Sequence, residues 1–128
     1  MVKNIFILIL FTVTLACGQT SKSQYTNLDA KIFQQQAAAQ NIILLDVRTA
    51  EEYNSGHLKG AINYDYNGAD FEKQISSIDK TKKVYVYCQR GGRSAGASEA
   101  LSKNGFKSVF NLTGGIEAWQ QNRLPVVK

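Results

Sequence analysis

The chain has 128 residues, of which 44% are hydrophobic and 20% charged, with ten Gly, one Pro and two Cys. These values predict one globular domain and exclude a collagen-like, low-complexity or disordered chain. The formal net charge is +5, and a chain beginning at Cys17 would keep 14 basic and 10 acidic side chains, a net charge of +4. Lys80, Lys82 and Lys83 form a basic cluster that is typical of a solvated turn, with an acidic partner as the alternative. We expect no nucleic-acid binding, because no larger basic run or face is present.

Residues 1–16 have the three-part pattern of an export signal. Lys3 carries the only charge, an apolar run follows over Ile5–Leu15, and small residues come next. That run is shorter than the roughly 20 residues that a helix needs to cross a bilayer, so a retained anchor or a buried core helix is the less favoured interpretation. We predict a signal peptide and an exported, periplasmic domain.

The four residues LACG that include Cys17 resemble a bacterial lipobox, in which the cysteine is lipidated and becomes the mature amino terminus. Thr14 stands where that motif usually has leucine, so secretion after ordinary cleavage is the alternative. Residues 17–24 are polar and predict a flexible tether, followed by a folded domain over residues 25–128. We expect this domain to be a monomer whose only attachment to the membrane is the lipid.

The folded domain alternates short apolar runs with helix-compatible stretches, which predicts an α/β fold with a mainly parallel sheet. The predicted strands are Ile42–Asp46, Ala61–Tyr64, Val84–Tyr87 and Ser108–Leu112. The predicted helices are one from the Asp29 cap to about Ala39, one from the Thr49–Glu52 capping box to Gly56, Ala69–Ile78, one from a Ser94 cap to Asn104, and one through Trp119.

Cys88 comes directly after the third predicted strand and before a glycine-rich loop that leads into a helix. Backbone amides converge at such a place and bind anions. Gly91 and Gly92 let the loop curl tightly. Arg90 and Arg93 add two positive charges near the thiol, and positive charge lowers a cysteine pKa. The sequence therefore predicts a nucleophilic thiolate in an anion-binding loop.

Structural interpretations of the same residues remain open. Cys88 can be read as a buried structural cysteine. The loop arginines can be read as ion-paired with a carboxylate such as Asp46. For Arg90, solvent exposure and contact with the substrate are equal alternatives. If Cys17 is lipidated or removed, Cys88 has no partner for an intramolecular disulfide. We expect no metal or organic cofactor, because one histidine and one available cysteine do not make a zinc site.

The segment Cys88–Ser94, CQRGGRS, resembles the active loop C-x-x-G-x-R-S of the rhodanese family, in which the cysteine takes up sulfane sulfur as a persulfide. Other family motifs are matched by LDVR at 45–48, EY at 52–53, GHLKGAIN at 56–63, and NLTGG at 111–115 followed by Trp119. Lys59 departs from one variant that has proline. The resemblance spans roughly Tyr25 to Pro125 and implies a three-layer fold with helices on both faces of the central sheet.

This resemblance implies that Cys88 is the nucleophile, and it implies structural roles for Asp46 and Arg48. His57, the only histidine, is a possible general base, but the resemblance places it in a structural turn. Four residues separate Cys88 from Arg93, one fewer than in cysteine phosphatases. The residues expected to bind substrate are Gln89, Arg90, Gly91, Gly92, Arg93 and Ser94.

We therefore expect a sulfurtransferase that moves sulfur from a small anionic donor such as thiosulfate to a thiol or protein acceptor. Cys88 would attack the outer sulfur of the donor, while the loop amides and Arg93 would stabilise the departing anion. One alternative is a persulfide carrier that serves a protein partner. The other is a cysteine-dependent phosphatase or arsenate reductase on the same scaffold.

Overall fold

The computed structural model describes residues 24–128, together with Gly18 and Lys22. The predicted signal peptide and Cys17 lie outside these residues, as does most of the predicted tether. Within the described part of the chain, no helix has the length and apolar character that crossing a membrane requires.

The described chain forms one sheet and five helices in alternation. The strands are β1 (Thr26–Leu28), β2 (Ile42–Asp46), β3 (Ile62–Asn63), β4 (Lys83–Tyr87) and β5 (Val109–Leu112). The helices are α1 (Ala30–Ala37), α2 (Ala50–Ser55), α3 (Phe71–Ser76), α4 (Gly92–Lys103) and α5 (Gly115–Gln121). The strand order is β1-β5-β4-β2-β3, and all neighbouring strands pair in parallel. This confirms the predicted α/β fold and places β4 at the centre of the sheet.

Side chains that alternate along β4 divide the hydrophobic core into two halves. Val84 and Val86 belong to the half that contains residues of α3 and α4. Tyr85 and Tyr87 belong to the opposite half, with residues of α1 and α5. Phe33 of α1 meets Tyr85 edge to face, with ring centroids 5.5 Å apart. Because successive residues of a strand point to opposite faces, helices cover both faces and give the predicted three layers.

The structure adds one strand to the predicted elements and corrects three predicted helices. Strand β1 has no clear sequence signal, because it is a short edge strand that is fixed by pairing with β5, where Asn27 lies opposite Asn111. Helices α1 and α3 are each shorter than predicted. Helix α4 begins at Gly92 rather than after Ser94, because Gly91 occupies the N-cap position in the left-handed conformation, at φ +109°. Ser94 therefore lies inside the first turn and does not cap the helix.

The capping box predicted for α2 is present. The Thr49 hydroxyl accepts a hydrogen bond from the Glu52 amide at 3.2 Å, and Glu52 Oε1 accepts one from the Thr49 amide at 3.3 Å. The box holds the Glu52 carboxylate at the start of α2. That carboxylate also reaches the candidate site.

Candidate active site

Cys88 lies directly after the central strand β4, at the carboxyl edge of the sheet, and only 1% of its surface is exposed. Its Sγ accepts a hydrogen bond from the Gly91 amide at 3.1 Å. Helix α4 begins one residue later, so its unpaired amides and the positive end of its dipole face the thiol. The loop therefore surrounds the sulfur with backbone donors.

The pKa of the Cys88 thiol is lowered below its ordinary value. Burial is the largest single influence and raises the pKa, but hydrogen bonds outweigh it. They come from the Ser94 hydroxyl and from the amides of Ser94, Gly91 and Arg90. The Ser94 hydroxyl also lies 3.2 Å from the Gly91 carbonyl oxygen. Because it has one hydrogen, it must turn from that carbonyl to donate to the thiolate.

The start of the loop rests on the amino-terminal end of α5. The amide of Ile116 donates to the Cys88 carbonyl at 2.9 Å, and that of Glu117 donates to the Gln89 carbonyl at 3.2 Å. Gly115 has φ +64°, and a Cβ there would lie 2.5 Å from the backbone of both loop residues. Only glycine allows this approach. This contact was not predicted from the sequence, although the two consecutive glycines at the start of α5 indicate close packing.

A buried ion pair supports the loop from below. Arg48 Nη2 lies 2.7 Å from Asp46 Oδ2, and Arg48 Nε lies 3.0 Å from Asp46 Oδ1. The same guanidinium donates to the Gly56 carbonyl at 2.6 Å and to Gln89 Oε1 at 3.2 Å, and it lies over the Tyr87 ring. Asp46 is therefore paired with Arg48 and not with an arginine of the loop. This network holds the Gln89 side chain against β2.

Each loop arginine is paired with a carboxylate from another helix. Arg93 forms two hydrogen bonds with Glu52 of α2, with Nη1–Oε1 at 2.7 Å and Nη2–Oε2 at 2.9 Å. Arg90 Nε lies 2.9 Å from Glu117 Oε2 of α5, and 82% of the Arg90 side chain is exposed. The expected pair of positive charges beside the thiol is thus largely neutralised. Both loop arginines are therefore ion-paired, but their partners are Glu52 and Glu117 and not Asp46.

The Glu52–Arg93 pair shifts both partners towards their charged forms. Hydrogen bonds from Arg93 are the main reason why the pKa of Glu52 falls to about 2, and bonds from Thr49 add to the effect. The pKa of Arg93 is raised mainly by its hydrogen bonds to Glu52, and the charges of Cys88 and Asp65 raise it further. The pair is consequently ionised at all pH values near neutrality.

His57 occupies a turn after α2. Its Nδ1 lies 3.0 Å from the Tyr53 carbonyl oxygen, its ring stacks on the Tyr53 ring, and its backbone exchanges two hydrogen bonds with Val127. No hydrogen bond between described residues joins it to Cys88. The described residues also contain no cluster of three His, Cys, Asp or Glu side chains that could hold a metal ion.

A family model described as a rhodanese-like domain matches residues 29–122. The chain belongs to the rhodanese-like family. It is 44% identical over 91 residues to thiosulfate sulfurtransferase 16, chloroplastic, of Arabidopsis thaliana, across 63% of this chain and 76% of that protein. It is 29% identical over 99 residues to the thiosulfate sulfurtransferase GlpE of Shewanella oneidensis, across 77% and 96%. The crystal structure of a rhodanese-related protein from Thermoplasma volcanium has a TM-score of 0.71 and 30% identity, across 80% of this chain and 98% of its own.

In this rhodanese-like domain the loop residues predicted to bind substrate have different surroundings. The Gly91 amide and the Ser94 hydroxyl lie at the thiol. The Gln89 side chain is bonded to Arg48. Gly92 opens α4 with an exposed backbone, and Arg90 points to solvent beside Glu117. The structure therefore brings backbone donors and one hydroxyl to the sulfur, and leaves Arg93 paired at the rim.

Proposed function

We propose that this rhodanese-like domain is a sulfurtransferase that carries sulfur as a persulfide on Cys88. The observation that supports this most is the buried thiol with the Gly91 amide 3.1 Å from its sulfur and with a lowered pKa. The thiolate is the nucleophilic form of cysteine, and a lowered pKa makes it available near neutral pH. Relatives named thiosulfate sulfurtransferase support the same class of reaction.

The reaction has two steps. The Cys88 thiolate attacks the outer sulfur of a donor such as thiosulfate, a new S–S bond forms, and the donor's S–S bond breaks with its electron pair on the departing sulfite. A thiophilic acceptor then removes the outer sulfur and regenerates the thiolate. The acceptor is cyanide in an assay, and a thiol or protein in the cell. The loop amides point at the reacting sulfur before the reaction starts, so they stabilise negative charge without reorganisation.

The geometry gives less support to a phosphatase. Binding of a tetrahedral oxyanion by a loop arginine uses two parallel N–H donors of its guanidinium. In this domain both terminal nitrogens of Arg93 are bonded to Glu52. A persulfide carrier that passes sulfur to a protein partner uses the same Cys88 chemistry and differs in the identity of its acceptor.

We also propose that the domain is exported and attached to a membrane through a lipid on Cys17, on the sequence pattern alone. Metabolic labelling with a radioactive fatty acid tests this, with Cys17→Ser as the control. Label in the wild-type chain that is absent from the variant supports the proposal. Unlabelled, soluble wild-type protein contradicts it.

The mass of the intact protein tests sulfur transfer. The full chain with Cys17→Ser has Cys88 as its only thiol, and a second chain also carries Cys88→Ser. After incubation with thiosulfate we expect the first chain to gain about 32 Da, one sulfur atom, and to lose it with cyanide. The second chain should gain nothing. No gain in a chain whose thiol is fully reduced would contradict thiosulfate transfer, and Cys88-dependent hydrolysis of an aryl phosphate would favour the phosphatase.

A further inference from the structure

The rim of the active loop is formed by two arginines and three carboxylates, namely Arg90, Arg93, Glu52, Glu117 and Asp65. Arg93 is bonded to Glu52 through two contacts of 2.7 and 2.9 Å, and Arg90 is bonded to Glu117 at 2.9 Å. Asp65 lies near enough to Arg93 for its charge to raise the pKa of that guanidinium. The side chains at the rim therefore offer a donor no unpaired arginine.

Glu52 is held firmly in this arrangement. Its Oε1 also accepts from the amide and the hydroxyl of Thr49, at 3.3 and 3.2 Å, and these bonds begin helix α2. The side chains of Glu52 and Arg93 are only 31% and 26% exposed. An anionic donor that bound Arg93 would have to break its two charge-assisted hydrogen bonds to Glu52. The negative charge of the donor would then lie next to the unpaired Glu52 carboxylate.

We propose that Glu52 sets the charge of the sulfur donor, so that the site favours donors with at most one negative charge over the thiosulfate dianion. Organic persulfides and thiosulfonates are donors of this kind. This inference rests on the proposed sulfur transfer at Cys88 and names its donor class. The amino-terminal end of α4 contributes a dipole equivalent to about half a positive charge. This partial charge suits the single negative charge of a thiolate or a persulfide better than the three negative charges that a thiolate and a thiosulfate dianion bring together.

The chemical step balances for such a donor. With an organic persulfide RSSH, Cys88 Sγ bonds to the outer sulfur and the bond between the donor's two sulfurs breaks. Its electron pair leaves on RS⁻, and the proton stays on the transferred sulfur. With thiosulfate, the same step releases a sulfite dianion beside the Glu52 carboxylate. The charge on Glu52 therefore opposes thiosulfate more strongly.

Removing the Glu52 charge tests the inference. The full chain with Cys17→Ser is compared with and without Glu52→Gln, and kcat/KM is measured as thiocyanate release with two donors. The donors are thiosulfate, a dianion, and benzenethiosulfonate, a monoanion with the same type of transferable sulfur. Electrostatic energy is proportional to charge, so an increase of about threefold for the monoanion corresponds to about tenfold for the dianion.

Glu51→Gln is the matched control. Glu51 lies beside Glu52 in the first turn of α2 and its side chain is exposed. It loses the same charge without freeing Arg93. We expect Glu51→Gln to change both values of kcat/KM by less than about twofold, because solvent and salt screen an exposed charge.

Equal fold-changes for the two donors, or a decrease for both, would overturn the inference and leave Glu52 a purely structural partner of Arg93. If the wild-type domain takes sulfur from neither donor, the proposed function fails and the inference with it. A measurement on the wild-type domain needs no variant to fold. Raising salt from about 0.01 to about 0.5 M should not lower kcat/KM for thiosulfate. A steep decrease would reveal an unpaired cationic site and overturn the inference.

Discussion

Two arginine–carboxylate pairs flank the active loop, and they differ in burial. Arg48 and Asp46 lie below the loop with 3% and 0% of their side chains exposed, whereas Arg93 and Glu52 lie at its rim with 26% and 31% exposed. Both pairs are bidentate. The outer pair joins the start of α4 directly to α2, whereas the inner pair lies within the segment at the end of β2 and contacts the loop through the Arg48–Gln89 hydrogen bond. The same type of ion pair is therefore present once in the buried core and once at the partly exposed surface.

That difference separates two tasks. The buried guanidinium also bonds to Gly56 and Gln89, so breaking its pair would leave charged and polar groups in the core without partners. The outer pair is partly exposed, so removing one partner leaves the other in contact with water and no unpaired charge in the core. The comparison teaches that Asp46 and Arg48 fix the position of the loop, while Glu52 and Arg93 set the charge that a donor meets.

The largest expected effect comes from breaking the buried pair. Arg48→Met leaves the Asp46 carboxylate buried without its partner, so we expect the free energy of unfolding to decrease by about 3–5 kcal/mol. Urea denaturation measures it. A loss smaller than about 1 kcal/mol would mean that the buried pair contributes no more to stability than an exposed pair, which would contradict the comparison.

The contact between α5 and the loop sharpens the comparison, because it holds the loop through backbone hydrogen bonds and not through charged side chains. In Gly115→Ala the new Cβ would lie 2.5 Å from the loop backbone. We expect sulfur uptake to slow about 100-fold, since misplacement by about 1 Å has effects of this size.

Gly105→Ala is the control for Gly115→Ala. Gly105 also has a positive φ, +94°, but it follows the far end of α4, where a Cβ would meet only the Lys80 side chain. Both variants should lose about 1–3 kcal/mol of stability from backbone strain. Only Gly115→Ala should also take up sulfur more slowly. Equal rates in the two variants would contradict support of the loop by α5.

Replacing Ser94 tests whether uncharged hydrogen-bond donors, and not the arginines, lower the pKa of the Cys88 thiol. Ser94→Ala removes the hydrogen bond that most lowers the pKa of Cys88, so the pKa should rise and sulfur uptake should require a higher pH. The pH dependence of alkylation by iodoacetamide measures the thiolate fraction. Ser98→Ala removes a buried hydroxyl of the same helix that bonds to the Ser94 carbonyl, and it should leave the profile in place. Identical shifts in both variants would assign the effect to helix packing.

The smallest expected effect on stability comes from the outer pair. Glu52→Gln should lower the free energy of unfolding by less than about 1 kcal/mol at neutral pH, because the pair is partly exposed. Hydrogen bonds from Arg93 lower the pKa of Glu52 below its ordinary value in the folded domain. Its stabilisation is therefore complete above the ordinary pKa and is lost as the pH falls through the lowered pKa. The difference between wild type and variant should shrink over that window, and a constant difference would contradict the ion pair as its source.

The sequence predicted the parallel sheet, the position of the loop after β4 and the α2 capping box, because these depend on local patterns of apolar and capping residues. It did not predict the partner of Arg93, since Glu52 is 41 residues away and meets it only after the chain has crossed the sheet. Periodicity tells which face of an element is buried, but not which carboxylate opposes an arginine. Strand β1 was missed for a similar reason, since only its pairing with β5 defines it.

One measurement tests the central claim most directly: the amount of thiocyanate that one chain forms in a single turnover. The Cys17→Ser chain is treated with excess donor, freed of unreacted donor and mixed with cyanide. A persulfide on Cys88 predicts one thiocyanate per chain, and none when Cys88→Ser is added. Thiocyanate that forms equally in both chains, or none from a chain with a reduced Cys88, would contradict sulfur transfer through this residue.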